Sequence, residues 1–224
     1  MRLLIAEDDA LHRTFLRNTA GKVLPTLDTI EEVEDGAEAI RRFDDGGFDA
    51  SSIDLQMPNV TGVDAAKYIW RRKPETRILF WSNYAEEAYV RGITKIVPHA
   101  AGYGYVLKSS SEDRLQMAIQ GVFLEDQCVI DREVRGVQQR ADDRSEGLTE
   151  LEYEALIDLS LGLTDRAMAA RRNVSLRGAQ SRLQHLYLKL GLAKPDIPVG
   201  PWGPSYNTRT RAVAIAIARG LLNA

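Results

Sequence analysis

Through residue 107 the chain alternates short, largely apolar runs with longer amphipathic stretches. Leu3–Ala6, Ile30–Val33, Ala50–Ile53, Ile78–Trp81 and Tyr105–Leu107 read as strands, being short and set between polar or turn-forming residues. Helical periodicity fills the gaps over 11–23, 36–44, 63–72 and 84–97, with another helix after Ser110. Strands alternating with helices predict an α/β unit, a parallel sheet of five strands covered on both faces. Ser51 and Ser52 stand where a central parallel strand usually carries apolar residues. They are expected to be core serines bonded to backbone. Pro98 interrupts the apolar pattern of Ile93, Ile96 and Val97, so the fourth helix should end or kink there.

Behind this region the pattern changes. Leu124–Gly147 reads as a linker in which Arg132–Arg140 can form a short helix, followed by the polar run 141–147. Thr149, with Glu152 three residues on, forms a capping-box signature ahead of an apolar run that Gly162 ends. Asp165–Arg171 is a short helix, Asn173-Val174 a turn, and Ser175 caps a longer helix to about Leu190. Two short helices joined by a tight turn suggest a helix-turn-helix for double-stranded DNA. By position Gln180, Ser181 and Gln184 face the major groove, where glutamine can pair with adenine. Arg166, Arg171, Arg172, Arg177 and Arg182 are candidates for phosphate. Residues 193–207 form a Pro/Gly-rich insertion whose Trp202 and Tyr206 either fold back on the domain or meet a partner.

The 224 residues suffice for two modest domains, and 44% apolar with 27% charged residues is ordinary for a globular chain. Cys128, the single cysteine, excludes an internal disulfide. No apolar run approaches the ~20 residues of a membrane span and no signal-peptide pattern is present, so a cytoplasmic protein is expected. Residues 1–147 hold 19 Lys and Arg against 26 Asp and Glu, a net −7. Residues 148–224 hold 10 against 6, a net +4, which points to the rear domain as the part that meets a polyanion.

Four polar groups come directly after strands: Glu7-Asp8-Asp9, Asp54, Ser82 and Lys108. In an open parallel sheet such groups gather outside the carboxyl ends of the strands, where ligands bind. Carboxylates, a hydroxyl and a lysine brought together there suit one divalent cation and one phosphoryl group. Mg²⁺, a hard cation held through oxygen and phosphate, fits that donor set.

In this order the four motifs resemble the receiver domain of two-component response regulators, a flavodoxin-like fold, over residues 1–123. The resemblance implies that Asp54 is phosphorylated by a sensor histidine kinase or a small phosphodonor. It implies that Glu7, Asp8, Asp54 and the backbone carbonyl of Gln56 hold Mg²⁺. Lys108 would pair with phosphate oxygens, Ser82 would bond to one of them, and Tyr105 matches the aromatic switch whose ring turns inward as Ser82 moves.

Residues 148–224 resemble the LuxR-type DNA-binding domain through Leu148-Thr149, Glu152, Leu156, Gly162-Leu163-Thr164, Ala169 and Lys189-Leu190-Gly191-Leu192. The recognition helix departs from the family, with Gly178-Ala179-Gln180 where Thr-Val-Lys is usual and Arg182 where histidine is common. The pair of domains, joined by the linker 124–147, resembles the NarL/FixJ subfamily. That implies a phosphorylation-controlled transcription factor, not an enzyme in the ordinary sense, which reads DNA through Arg177, Gln180, Ser181, Arg182 and Gln184. The last helix, Thr208–Leu222, matches the one this family uses to form a homodimer, although packing on its own domain explains its apolar residues too. Two other readings stay open: a phosphate-independent regulator with an altered output face, and a phosphorelay or protein-interaction module without DNA binding.

Overall fold

The computed structural model describes residues 1–99, 101–142, 147–192 and 207–222. The insertion over 193–207, with Trp202 and Tyr206, therefore lies outside the described residues except for Asn207. The chain divides into two compact units, one of Met1–Ala85 with Tyr89–Gly136, the other of Glu86–Ala88 with Val137–Ala224.

In the first unit β1 (Arg2–Ala6), β2 (Thr29–Val33), β3 (Ala50–Ile53), β4 (Arg77–Ser82) and β5 (Tyr103–Leu107) alternate with α1 (Ala10–Val23), α2 (Gly36–Gly46), α3 (Gly62–Arg72), α4 (Glu87–Thr94) and α5 (Glu112–Phe123). The sheet runs β2-β1-β3-β4-β5-β6 and every pairing is parallel. It has six strands where five were expected. The extra one, β6 (Val129–Ile130), pairs with Gly104 and Tyr105 of β5, and α6 (Arg132–Asp142) follows it. Residues read as linker are thus part of the sheet. Two β-branched side chains suffice, because β5 would otherwise present a bare edge of unpaired N–H and C=O groups.

Alternation along the strands serves both faces. Leu3, Ile5, Leu79, Trp81 and Val106 form one core cluster with Leu16 and Ala20 of α1 and Leu115, Ile119, Val122 and Phe123 of α5. On the opposite face Phe80 meets the Trp70 ring of α3 edge-on at 6.0 Å. Ser52 Oγ donates to the Leu79 carbonyl at 3.3 Å, as a core serine should. Ser51 departs from that expectation: its buried hydroxyl finds no partner among the described residues. The fourth helix stops at Thr94, four residues before Pro98.

The second unit contains α7 (Glu150–Ser160), α8 (Asp165–Arg171), α9 (Leu176–Lys189) and α10 (Thr208–Ala218). Thr149 and Glu152 form the full capping box at the start of α7. Leu156 and Leu159, Met168, Leu183 and Leu186, and Ala212 and Ala216 bring all four helices to one core. Among the described residues no helix is long and apolar enough to cross a membrane.

Candidate functional site

The strand order reverses between β1 and β3, whose carboxyl ends therefore lie side by side at the switch point where ligands of open α/β sheets bind. Glu7 follows β1 and Asp54 follows β3, with the Asp54 N–H donating to the Ala6 carbonyl at 2.9 Å. Next along the sheet, the Lys108 N–H donates to the Ser82 carbonyl at 2.9 Å, which joins the ends of β4 and β5. The loop after Asp54 turns sharply into α3, capped by Thr61, and only glycine fits at position 62. A Cβ there would lie 1.9 Å from the Asp54 carbonyl oxygen.

Lys108 is the hub. Its Nζ stands 2.9 Å from Asp54 Oδ2 and 2.8 Å from the Glu7 carboxylate. A third neighbour is His12 Nδ1 at 3.4 Å, and the Trp81 ring lies under the ammonium, 5.4 Å from its centroid. The His12 and Trp81 rings meet edge-on at 5.5 Å. The sequence reading did not single out these two rings. Their only signal was position, since Trp81 precedes Ser82 and His12 lies one helical turn past Asp8.

Burial sets the electrostatics. Glu7 is 1% exposed and Asp54 5% exposed. Desolvation, reinforced by the neighbouring Asp54 charge, pushes the Glu7 carboxyl up to about 7 against the pull of Lys108. Burial works to lower Lys108, but hydrogen bonds to Glu7 and Asp54 outweigh it and hold the ammonium above the ordinary lysine value. With Glu7 ionised, three carboxylates against one ammonium leave the cluster two charges short of neutrality.

A divalent cation fits this deficit. Glu7, Asp8 and Asp54 each offer an oxygen, all within 4.8 Å of one another, and Asp8 is exposed, which leaves a path for water. Gln56 lies two residues beyond Asp54 in the loop to α3, and its side chain is exposed. Ser82 is fully buried, yet its Oγ has no hydrogen-bond partner among the described residues. A buried hydroxyl left unbonded costs stability unless something arrives to use it. Tyr105 already points inward: it is 1% exposed, its OH donates to the Tyr84 carbonyl at 2.6 Å, and its ring sits 6.2 Å from Phe80.

Residues 3–120 match the response regulator receiver domain. The transcriptional regulatory protein YdfI of Bacillus subtilis is 32% identical over 200 residues, covering 86% of this chain and 84% of that one. The chain belongs to the response regulators. The DNA-binding transcriptional activator DevR/DosR of Mycobacterium tuberculosis is 26% identical over 87% of this chain and 90% of its own. Among solved structures, RcsB of Salmonella enterica serovar Typhimurium bound to a promoter superposes with a TM-score of 0.63 at 17% identity, covering 99% of both chains. It shows the same fold. A receiver followed by a helix-turn-helix unit places this response regulator in the NarL/FixJ subfamily.

In its second unit, α8 leads through Asn173, at a left-handed φ of 51°, to Ser175, whose hydroxyl accepts the Gly178 N–H at 3.1 Å and starts α9. Arg177, Gln180, Ser181 and Gln184 are exposed along one face of α9. At about 100° per residue, His185 and Leu188 extend that face, and both are exposed. The sequence reading named neither. Arg182 falls about 100° beyond Ser181, off this stripe. Its guanidinium lies 3.8 Å from Glu154 of α7 and is 22% exposed. Arg172 is likewise committed, with two nitrogens at 2.8 and 2.9 Å from the buried Asp158. At Gly178 a Cβ would lie 3.3 Å from the Ser175 hydroxyl, a tight contact that the capping side chain would have to relieve by a few tenths of an ångström.

Proposed function

We propose that this response regulator binds DNA under the control of a phosphoryl group on Asp54. An Asp54 carboxylate oxygen attacks the phosphorus of a phosphohistidine on a sensor kinase, or of a small phosphodonor. The new O–P bond forms as the donor's bond to phosphorus breaks. Lys108 exchanges its hydrogen bonds to Asp54 and Glu7 for phosphate oxygens, and the Ser82 hydroxyl donates to another. Glu7, Asp8, Asp54 and the Gln56 carbonyl would hold Mg²⁺, which when bound offsets the repulsion between an anionic nucleophile and an anionic phosphoryl group. The observation that carries this reading is the single constellation: two buried carboxylates bridged by Lys108, beside a buried serine hydroxyl with nothing yet to bond.

Phosphorylation then shifts an equilibrium between receiver states, which Ser82 and Tyr105 would sense, toward one that favours a homodimer through α10. Each protomer presents α9 to the major groove, with Gln180, Ser181 and Gln184 reading bases and Arg177 holding phosphate. Arg182 serves Glu154 in this arrangement rather than a base. The protein acts as a cytoplasmic regulator, not as a turnover enzyme.

Intact mass, oligomeric state and promoter binding after incubation with Mg²⁺ and acetyl phosphate test the proposal, beside Asp54→Asn. A phosphoryl adduct absent from the variant, with a monomer-to-dimer shift and tighter DNA binding, is the expected result. Unchanged mass with unchanged assembly and DNA binding would overturn it in favour of a phosphate-independent regulator.

A further inference from the structure

Asp131 lies in the segment that sequence assigns to a linker, yet it is only 6% exposed. Its main-chain N–H donates to the Tyr105 carbonyl at 3.0 Å and closes the β5–β6 ladder. The ladder ends there, and its side chain takes over. Oδ2 accepts the Leu107 N–H at 2.9 Å and the Ser110 hydroxyl at 2.7 Å, while Oδ1 accepts Arg114 Nε at 2.8 Å. Arg114 also donates to the Ile130 carbonyl at 3.2 Å, so the guanidinium braces both the carboxylate and the strand that carries it. A buried carboxylate bonded by one backbone amide, one hydroxyl and one guanidinium has donors on both oxygens.

The position of this node gives it meaning. Leu107 is the residue before Lys108, and Ser110 closes the loop that follows it. On one side the Lys108 N–H is held by the Ser82 carbonyl, and on the other the Leu107 N–H is held by Asp131. The lysine that bridges Asp54 and Glu7 is thus clamped between the Ser82 end of β4 and the Asp131 carboxylate. Asp131 also opens α6, since its carbonyl accepts the Arg135 N–H at 2.9 Å in the first turn.

We propose that Asp131 is a positioning residue for Lys108, and that through it the first turn of α6 responds to what Lys108 holds. The inference rests on the reading that Lys108 pairs with a phosphoryl group on Asp54. Coupling of this kind is reciprocal: what steadies Lys108 in its phosphate-bound place steadies the Asp131 node, and loosening the node weakens binding at Asp54. Sheet, loop and helix start share one residue, through its main chain and its carboxylate, so no chain of intermediate contacts is required.

The test uses the full chain with Mg²⁺ and beryllofluoride as the acyl-phosphate mimic. Beryllofluoride affinity is measured together with hydrogen exchange of residues 107–111 and 129–135, with and without the mimic. Wild type, Asp131→Asn, Asp131→Ala and Ser110→Ala are compared. In wild type the mimic should slow exchange at both segments. Asp131→Ala should abolish the effect at 129–135 and weaken beryllofluoride by about fivefold or more, the low end of ordinary coupling. Asp131→Asn, which keeps the shape and one acceptor oxygen, should fall between, and so should Ser110→Ala. Should Asp131→Ala not fold, those two milder variants decide. A structural role alone would lower stability in every variant while leaving the mimic's affinity and its effect on exchange intact, and that outcome overturns the proposal. Wild type that binds no beryllofluoride sinks the phosphoacceptor reading itself, and this inference with it. Wild type that binds the mimic without altering exchange at 129–135 sinks this inference only.

Discussion

The Glu7 carboxyl should make Mg²⁺ binding strongly dependent on pH near neutrality. Glu7 is almost wholly buried, with Asp54 beside it and Lys108 as its principal compensating charge. Its carboxyl stands at about 7 against an ordinary 4.5 because burial disfavours the ionised form. Mg²⁺ needs that ionised form, so proton and metal compete. With a value of about 7, roughly nine-tenths of Glu7 is ionised at pH 8 and roughly one-tenth at pH 6, so apparent Mg²⁺ affinity should fall about tenfold between them. Stability without metal should move the opposite way, with acid in its favour. A carboxyl raised in the folded state contributes stability that is fully present below pH 4.5 and is lost as pH rises through about 7. At about 1.4 kcal/mol per pH unit over that span the loss is roughly 3 kcal/mol. Calorimetric Mg²⁺ titrations at pH 6 and 8, with urea unfolding in chelator from about pH 4.5 to 8, measure both effects. Glu7→Gln should bind Mg²⁺ weakly and flatten both pH profiles. His12 Nδ1 lies 3.6 Å from Glu7, and His12→Asn should keep most of the slope. Equal Mg²⁺ affinity at the two pH values, or an undiminished slope in Glu7→Gln, would refute the reasoning.

Four further outcomes follow from the same structure. Lys108→Met removes the cation shared by two buried carboxylates, and breaking a buried pair in this way should cost about 3 kcal/mol, part of it recovered when Mg²⁺ is added; urea midpoints with and without the metal check this. Thr149→Ala removes the hydroxyl that accepts the Glu152 N–H in the capping box and should destabilise the second unit by about 1 kcal/mol, with phosphorylation at Asp54 unaffected; thermal melts beside mass spectrometry separate the two. Arg177→Ala should weaken promoter binding evenly across sequences and reduce the slope of log affinity against log salt by about 1. Arg182→Ala, whose guanidinium faces Glu154, should leave that slope unchanged, and a drop equal to that of Arg177→Ala would place Arg182 on DNA after all.

Much of the candidate site was legible in the chain because its signals are local. A strand that ends in a polar residue carries its own evidence, and four such ends in order singled out Glu7, Asp54, Ser82 and Lys108. The capping box of Thr149 and Glu152 and the helix-turn-helix around Asn173 were legible for the same reason, since caps and turns depend on neighbours three or four residues away. Even the end of α4 ahead of Pro98 needed only the missing N–H of proline.

What remained hidden involves partners far apart in sequence. Val129-Ile130 is too short to announce a strand, and only the open edge of β5 makes it one. Asp131 was one unremarked residue of the linker span until folding brought Leu107, Ser110 and Arg114 around it. His12 and Trp81 become neighbours of Lys108 only when α1 packs against the β4 end of the sheet. On α9 the residue types alone could not separate Arg177 from Arg182, because Glu154 on another helix decides which way the second guanidinium turns. The amino-acid sequence by itself determined which groups stand at the strand ends and therefore what chemistry is available. Tertiary packing decided which of those groups are desolvated, which already pair with a neighbour, and which, like the Ser82 hydroxyl, are buried with no partner among the described residues.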